Sequence, residues 1–278
     1  MTTLARAARE VLLAPVPHAK VMAARALARG WRAGRIDWRF DVAMPDRPVR
    51  GERPVLLAPT HMPRRGRAGS PRARVAMLHA LAHIEYVAID LAVDLVGRFG
   101  AEFPRAFADE WLRIAAEEAM HFALVDRRLR ALGAAYGDLP AHDGLWEAAA
   151  DTAHDPLARL AIVPMVLEAR GLDVTPAMIA RFDAAGDAAS ARILRRILAD
   201  EVRHVAAGVR WFESLCVSRR IAPPASWRAL VGRHFGGRIK PPFNDSARES
   251  AGLTKEFYAV LAPPEPASHK APATARRT

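Results

Sequence analysis

Residues 187–216 read DAASARILRRILADEVRHVAAGVRWFESLC. At ~100° per residue this stretch lines up Leu194, Ile197, Leu198, Val205, Phe212 and Leu215 on one face, the signature of a helix that buries an apolar stripe. Glu201 and His204 lie in the middle of that stripe. A carboxylate buried there is costly unless a cation or a complete set of hydrogen bonds offsets its lost hydration.

Three further stretches repeat the anomaly. Arg72–Arg98 aligns Leu78, Leu81, Ala82, Ala88, Ile89, Ala92 and Val96 around Glu85. Pro104–Leu132 aligns Phe107, Trp111, Ile114, Ala115, Phe122, Val125 and Leu129 around Glu118 and His121. Asp155–Leu172 aligns Leu157, Ala161, Met165 and Leu172 around Glu168, with Pro164 expected to free the Leu160 carbonyl and kink the helix. Gly100, Gly133, Gly137 and Gly171 read as stops, and a short helix is expected from Pro176 with Thr175 as its N-cap. Strand-type alternation is lacking, so the expected fold is all-α, a four-helix bundle.

The spacing of the buried acids carries chemistry. Glu85 precedes Glu118 by 33 residues, and Glu168 precedes Glu201 by 33. Each pair is a lone Glu followed by a Glu-x-x-His, which suggests a degenerate repeat of two helical hairpins. Glu-x-x-His sets both side chains on one helix face, about 4.5 Å apart along the axis, a separation suited to ligating one ion and bridging to another. Carboxylate with imidazole favours iron or manganese over thiolate-selective metals. The candidate ligands are Glu85, Glu118, His121, Glu168, Glu201 and His204, with Glu85, Glu118 and His121 mainly on one ion and the other three on the second. No catalytic residue is expected beyond these ligands.

The surrounding sequence bounds the function. In 278 residues there is one cysteine, Cys216, which excludes a disulfide framework and a multi-thiolate zinc site within one chain and points to a reducing compartment. No membrane span or signal-peptide core is read, so a cytoplasmic protein is expected. The net charge of +11 is segregated: residues 1–75 carry +11, residues 76–216 carry −7 and residues 217–278 carry +7. The basic flanks keep a polyanionic partner such as RNA in view. Four regions are expected: 1–70, two amphipathic helices (about Thr3–Leu13 and Pro17–Trp31) and a Pro/Arg-rich strap; 71–217, the bundle; 218–262, an extension with one helix near Asn244–Leu261; and 263–278, a disordered tail. His79, His83, Asp90 and Asp94 form a second stripe on the first long helix, read as packing or solvated groups. His142, His154 and His234 read as structural, and Tyr86 points away from the site.

The ligand pattern resembles the ferritin-like superfamily of di-iron carboxylate proteins, in which two helices give a Glu each and two give Glu-x-x-His. More closely, the chain resembles a bacterial ferritin-like family of unknown function through Tyr136-Gly137-Asp138-Leu139-Pro140-Ala141-His142-Asp143-Gly144-Leu145-Trp146, Glu168-Ala169-Arg170-Gly171-Leu172-Asp173 and Asp200-Glu201-Val202-Arg203-His204. The resemblance implies that the acids preceding each motif act as outer partners across the hairpins, Glu117 for His204 and Asp200 for His121. It also implies two helical hairpins joined by a crossover, for which residues 133–154 are long enough, and a dinuclear oxidoreductase, an O2- or peroxide-dependent hydroxylase of a small-molecule or RNA (tRNA) substrate, served by an electron donor and compatible with a homodimer. The alternatives are a ferroxidase or iron-handling protein, and a non-enzymatic helical scaffold.

Overall fold

The computed structural model describes residues 2–62, 70–236 and 239–262. The tail at 263–278 and strap residues 63–69 therefore lie outside the described residues. The architecture is all-α. Helices α1 (Leu4–Leu13) and α2 (Pro17–Arg32) open the chain, flanked by two-residue strands β1 (Thr2–Thr3) and β2 (Ile36–Asp37) that pair in parallel. The long helices α3 (Pro71–Phe99) and α4 (Arg105–Ala131) follow. After α5 (Gly144–Asp151) come α6 (Pro156–Ile162), a π-helical turn (Val163–Glu168) and α7 (Ala169–Ala184), then α8 (Ala188–Arg219). The chain closes with α9 (Pro223–His234), α10 (Asp245–Ser250) and α11 (Lys255–Tyr258).

Local chemistry sets these boundaries. Ser70 accepts a hydrogen bond from Ala73 N at the start of α3, ahead of Pro71 at the first helical position, and Asp187 accepts from Ser190 N at the start of α8. Gly133, at φ +77°, supplies the left-handed residue that ends α4. The α3–α4 hairpin packs on the hairpin formed by α6–α7 and α8, chiefly through α4 against α8, and α5, within the connection between them, lies against α3. By length and composition α3 could cross a membrane, yet 78% of its most apolar window is buried inside the protein.

Two expectations about the second hairpin are corrected. Gly171 does not end the third long segment and Pro176 does not start a helix: α7 runs through both. A proline inside a helix leaves the carbonyl four residues back without a donor. Here Asn244 Nδ2 donates to that Leu172 carbonyl at 3.1 Å. At the earlier interruption the kink expected at Pro164 takes the form of the π-helical turn, and Trp227 Nε1 donates to the Ala161 carbonyl at 3.1 Å. The C-terminal extension thus donates to backbone carbonyls near both prolines of this segment, Leu172 before Pro176 and Ala161 before Pro164. It also holds more helix than expected: α9 was not anticipated, and Gly252 at φ +76° divides the helix expected at 244–261 into α10 and α11.

The π-helical turn lies against α8 where that helix has no side chain. A methyl group on Gly208 would collide with the Pro164 ring. Gly208→Ala is expected to cost about 1–3 kcal/mol, the usual range for an overpacked core. Chemical denaturation should show the cost shrinking when Pro164→Gly, which removes both clashing carbons, is added, and a full-size penalty in the double variant would refute the contact as its cause.

The second stripe of α3 is buried. Asp90 is paired with Lys20 of α2 and Arg50 of the strap, and both cations lie over the Tyr86 ring. Asp94 binds Arg98 and Arg159. His79 Nε2 accepts from Gly137 N at 2.9 Å, while His83 is bonded to the Tyr136 hydroxyl at 2.9 Å and lies 3.1 Å from the His142 carbonyl. The Tyr136–Trp146 segment is therefore a lid over this stripe, pinned to the strap by Ala141 N donating to the Val55 carbonyl and Trp146 Nε1 to the Asp46 carbonyl.

Candidate metal centre

The antiparallel hairpins bring the acids of the four stripes to one level. Glu85, Glu118, His121 and Glu201 each offer a ligand atom, and these atoms all lie within 4.8 Å of one another. This buried cluster could hold a metal ion. His204, the fifth candidate, enters through Nδ1, which lies 2.7 Å from Glu118 Oε1 and 3.5 Å from Glu201 Oε1. Glu168, the sixth, stands at the end of the π-helical turn. It lies outside the four-residue set but close enough for the charges of Glu201, Glu118 and Glu85 to act on it. Glu201 belongs to the group around His121 as well as to that around His204, so the partition into two triads is less clean than the sequence suggests.

Both imidazoles are oriented the same way. A carboxylate can only accept, so His121 Nε2–H donates to Asp200 Oδ2 at 3.0 Å, and His204 Nε2–H donates to Glu117 Oε2 at 2.8 Å. Each bond crosses from one hairpin to the other. Each ring accordingly turns its Nδ1 inward, where His121 Nδ1 lies 3.3 Å from both Glu85 Oε2 and Glu118 Oε2. Glu118 sits between the rings, with Oε2 toward His121 and Oε1 toward His204.

Electrostatics follow from crowding charges in a dry interior. Burial pushes the Glu85 carboxyl up to about 8, against the hydrogen bond from His121. Burial, with the charges of Glu201 and Glu118, drives Glu168 well above the usual carboxylate range, and burial beside Glu118 also raises Glu201. Burial favours a neutral His121, but hydrogen bonds to Asp200, Glu118 and Glu85 outweigh it and push the ring up to about 12. Burial would likewise raise Glu118, yet the two facing imidazoles hold it below the ordinary range. The rings are thus pushed toward their charged form and Glu85, Glu168 and Glu201 toward their neutral form.

Some inward atoms are left over. Glu168 Oε2 is buried with no partner, and Glu118 Oε1 and His204 Nδ1, also buried, face each other at 2.7 Å out of hydrogen-bond alignment. The imidazole Nε2 atoms, by contrast, are fully committed to the outer acids. Sequence reasoning did not single out the next layer: Arg113 donates to Glu117 at 2.9 Å, Arg196 to Asp200 at 2.6 Å and Arg203 to Asp200 at 2.5 Å. The signal was present, since Arg113–Glu117 and Arg196–Asp200 are i,i+4 pairs and Asp200–Arg203 is an i,i+3 pair on a helix.

No solved structure matches the chain. An uncharacterized protein of Haemophilus influenzae is 42% identical over 210 residues, which cover 73% of this chain and 73% of the relative. A family model described as "Protein of unknown function (DUF455)" matches residues 13–259, nearly the whole helical assembly that carries the cluster, and the chain belongs to this DUF455 family.

Proposed function

We propose that this chain is a ferritin-like four-helix bundle carrying a dinuclear metal centre, with iron favoured over manganese, and that it works as an oxidoreductase. The observation that carries the reading is the division of labour in the imidazoles. Their outer nitrogens are fixed by Asp200 and Glu117, while on the inner side Glu118 Oε1 and His204 Nδ1 stand 2.7 Å apart out of hydrogen-bond alignment and Glu168 Oε2 is buried with no partner. A hydrogen-bonded scaffold would satisfy those atoms internally. A metal site leaves them free and supports its histidines from outside.

In this reading Glu85, Glu118, His121, Glu168, Glu201 and His204 would hold the ions, Glu118 presenting one oxygen toward each histidine and Glu201 lying near both rings. When bound, a pair of irons supplies the electron-transfer chemistry that uses dioxygen or peroxide to oxidise, by preference to hydroxylate, an organic substrate. The chain itself holds the ligands and excludes water from the histidine side, where both rings are fully buried. Substrate and oxidant approach from the side of Glu168 and Glu201, the least enclosed of the six. A small-molecule substrate is favoured over RNA, because the basic flanks spend Lys20, Arg47, Arg50, Arg219 and Arg248 on Asp90, Asp143, Asp155 and Asp173 of the acidic middle.

The test is metal content. Anaerobic addition of Fe(II) to metal-free protein should give binding close to two ions per chain, and Glu118→Ala, which removes the carboxylate between the two histidines, should lose at least one of them. Uptake below about one ion per chain from either iron or manganese, unchanged in Glu118→Ala, would sink the metal reading. Sedimentation of the loaded protein separates catalysis from storage, since a monomer or dimer cannot enclose a mineral.

A further inference from the structure

The two outer carboxylates meet at one side chain. Arg203, on α8, has its Nη2 2.5 Å from Asp200 Oδ1 and 3.6 Å from Glu117 Oε1. Asp200 serves the histidine of α4 and Glu117 serves the histidine of α8. We infer that Arg203 is the positioning residue that sets the two histidine rings of the centre relative to each other, because its single Nη2 joins the acid behind His121 to the acid behind His204. The inference rests on the metal-site reading above.

Its neighbours show why Arg203 differs from the other arginines of this layer. Arg196 reaches Asp200, and Arg113 reaches Glu117 and Glu110. Each of them serves one histidine only. The two repeats are also unequal at the equivalent place: the residue before His121 is Met120, which cannot donate, whereas the residue before His204 is Arg203. One arginine therefore does for both hairpins what a symmetric repeat would assign to two. Arg203 Nη1 also donates to the Ala199 carbonyl at 3.2 Å, which fixes the guanidinium along its own helix and leaves Nη2 directed at the acids. The His121 and His204 ring centroids are 5.8 Å apart, and the chain His121–Asp200–Arg203–Glu117–His204 closes a loop around that separation. Tilting either acid turns a ring about its Nε2 bond and moves the inward Nδ1, so the loop controls both ligand nitrogens together.

The experiment titrates full-length, metal-free protein with Mn(II) by calorimetry and follows histidine side-chain NH signals by NMR before metal is added. Outer partners of metal-bound histidines are typically worth about 10–100-fold in affinity, and Arg203 acts one bond further out, so Arg203→Met should weaken both binding steps by about tenfold. Arg196→Met should weaken only the step that uses His121, and Arg113→Met only the step that uses His204. Arg203→Lys should restore most of both steps, because one ammonium can replace the one nitrogen in use. In the metal-free protein Arg203→Met should speed the exchange of both Nε2 protons, whereas the single-acid variants speed one each. An Arg203→Met protein in which only one step or one proton changes, or neither does, overturns the proposal while leaving the metal reading intact. Wild-type protein that binds neither Mn(II) nor Fe(II) overturns the metal reading and this proposal with it.

Discussion

Glu168→Met should make the metal-free protein more stable and, in the same molecule, reduce metal uptake to about one ion per chain. The carboxylate sits at the end of the π-helical turn with Oε2 buried and unpartnered. Burial together with the charges of Glu201 and Glu118 holds it far from its ordinary protonation behaviour. Leaving a buried polar group unsatisfied costs about 1–3 kcal/mol, and methionine fills similar space without that cost. The gain should appear as a higher unfolding midpoint, roughly 2–4 °C per kcal/mol for a chain of this size. Metal reverses the ranking. A site filled at about one hundred times its Kd adds about 2.7 kcal/mol to the wild type, and the variant forgoes one such contribution. Two melting curves for each protein, with and without Fe(II) under anaerobic conditions, suffice. A scaffold held together by its buried acids requires the opposite sign, with the variant less stable in both conditions, and that result would remove the metal reading.

The six candidate ligands and the boundaries of α3, α4 and α8 were legible because a charged residue in an apolar stripe is a local signal. Glu85 needs only its neighbours at three and four residues to look misplaced. What escaped the sequence depended on distant partners. Pro176 reads as a helix start unless Asn244 is known to supply the hydrogen bond that proline cannot, and those residues are 68 positions apart. The second stripe of α3 looked equally suited to solvent or to packing, since its cover comes from the strap and the Tyr136–Trp146 segment. Net charge is likewise a sum that hides pairing: part of the basic charge of the flanks, at Arg47, Arg50 and Arg219, is bound to acids of the core. Arg203 needed no distant signal to be found beside Asp200, but its reach to Glu117 exists only once the hairpins are packed.

The strongest test of the fold outside the metal centre is Asp94→Ala, expected to cost about 3–5 kcal/mol, as removal of one partner from a buried ion pair does. Asp94 is fully buried and accepts from Arg98 Nη2 at 2.8 Å and from Arg159 Nη1 at 2.5 Å. Arg159 is itself 1% exposed, and burial pulls its guanidinium below the ordinary range, against the pull of Asp94. With Asp94 gone, Arg159 keeps its bonds to Thr152 Oγ1 and the Ala149 carbonyl but has no counter-charge. The converse change, Arg159→Met, should cost less, because Asp94 retains Arg98, which is anchored on the strap through the Pro45 carbonyl. Denaturant unfolding of both single variants and the double should show this inequality, with a coupling of about 0.5–3 kcal/mol, the range for residues in contact. The clamp joins α3, the crossover and the strap, and Asp94 lies nine residues beyond Glu85 on the same helix. A folded Asp94→Ala protein should therefore still bind two ions, and lose them at lower denaturant than the wild type. Equal costs for the two single variants would show that the guanidinium is not held there by the Asp94 charge.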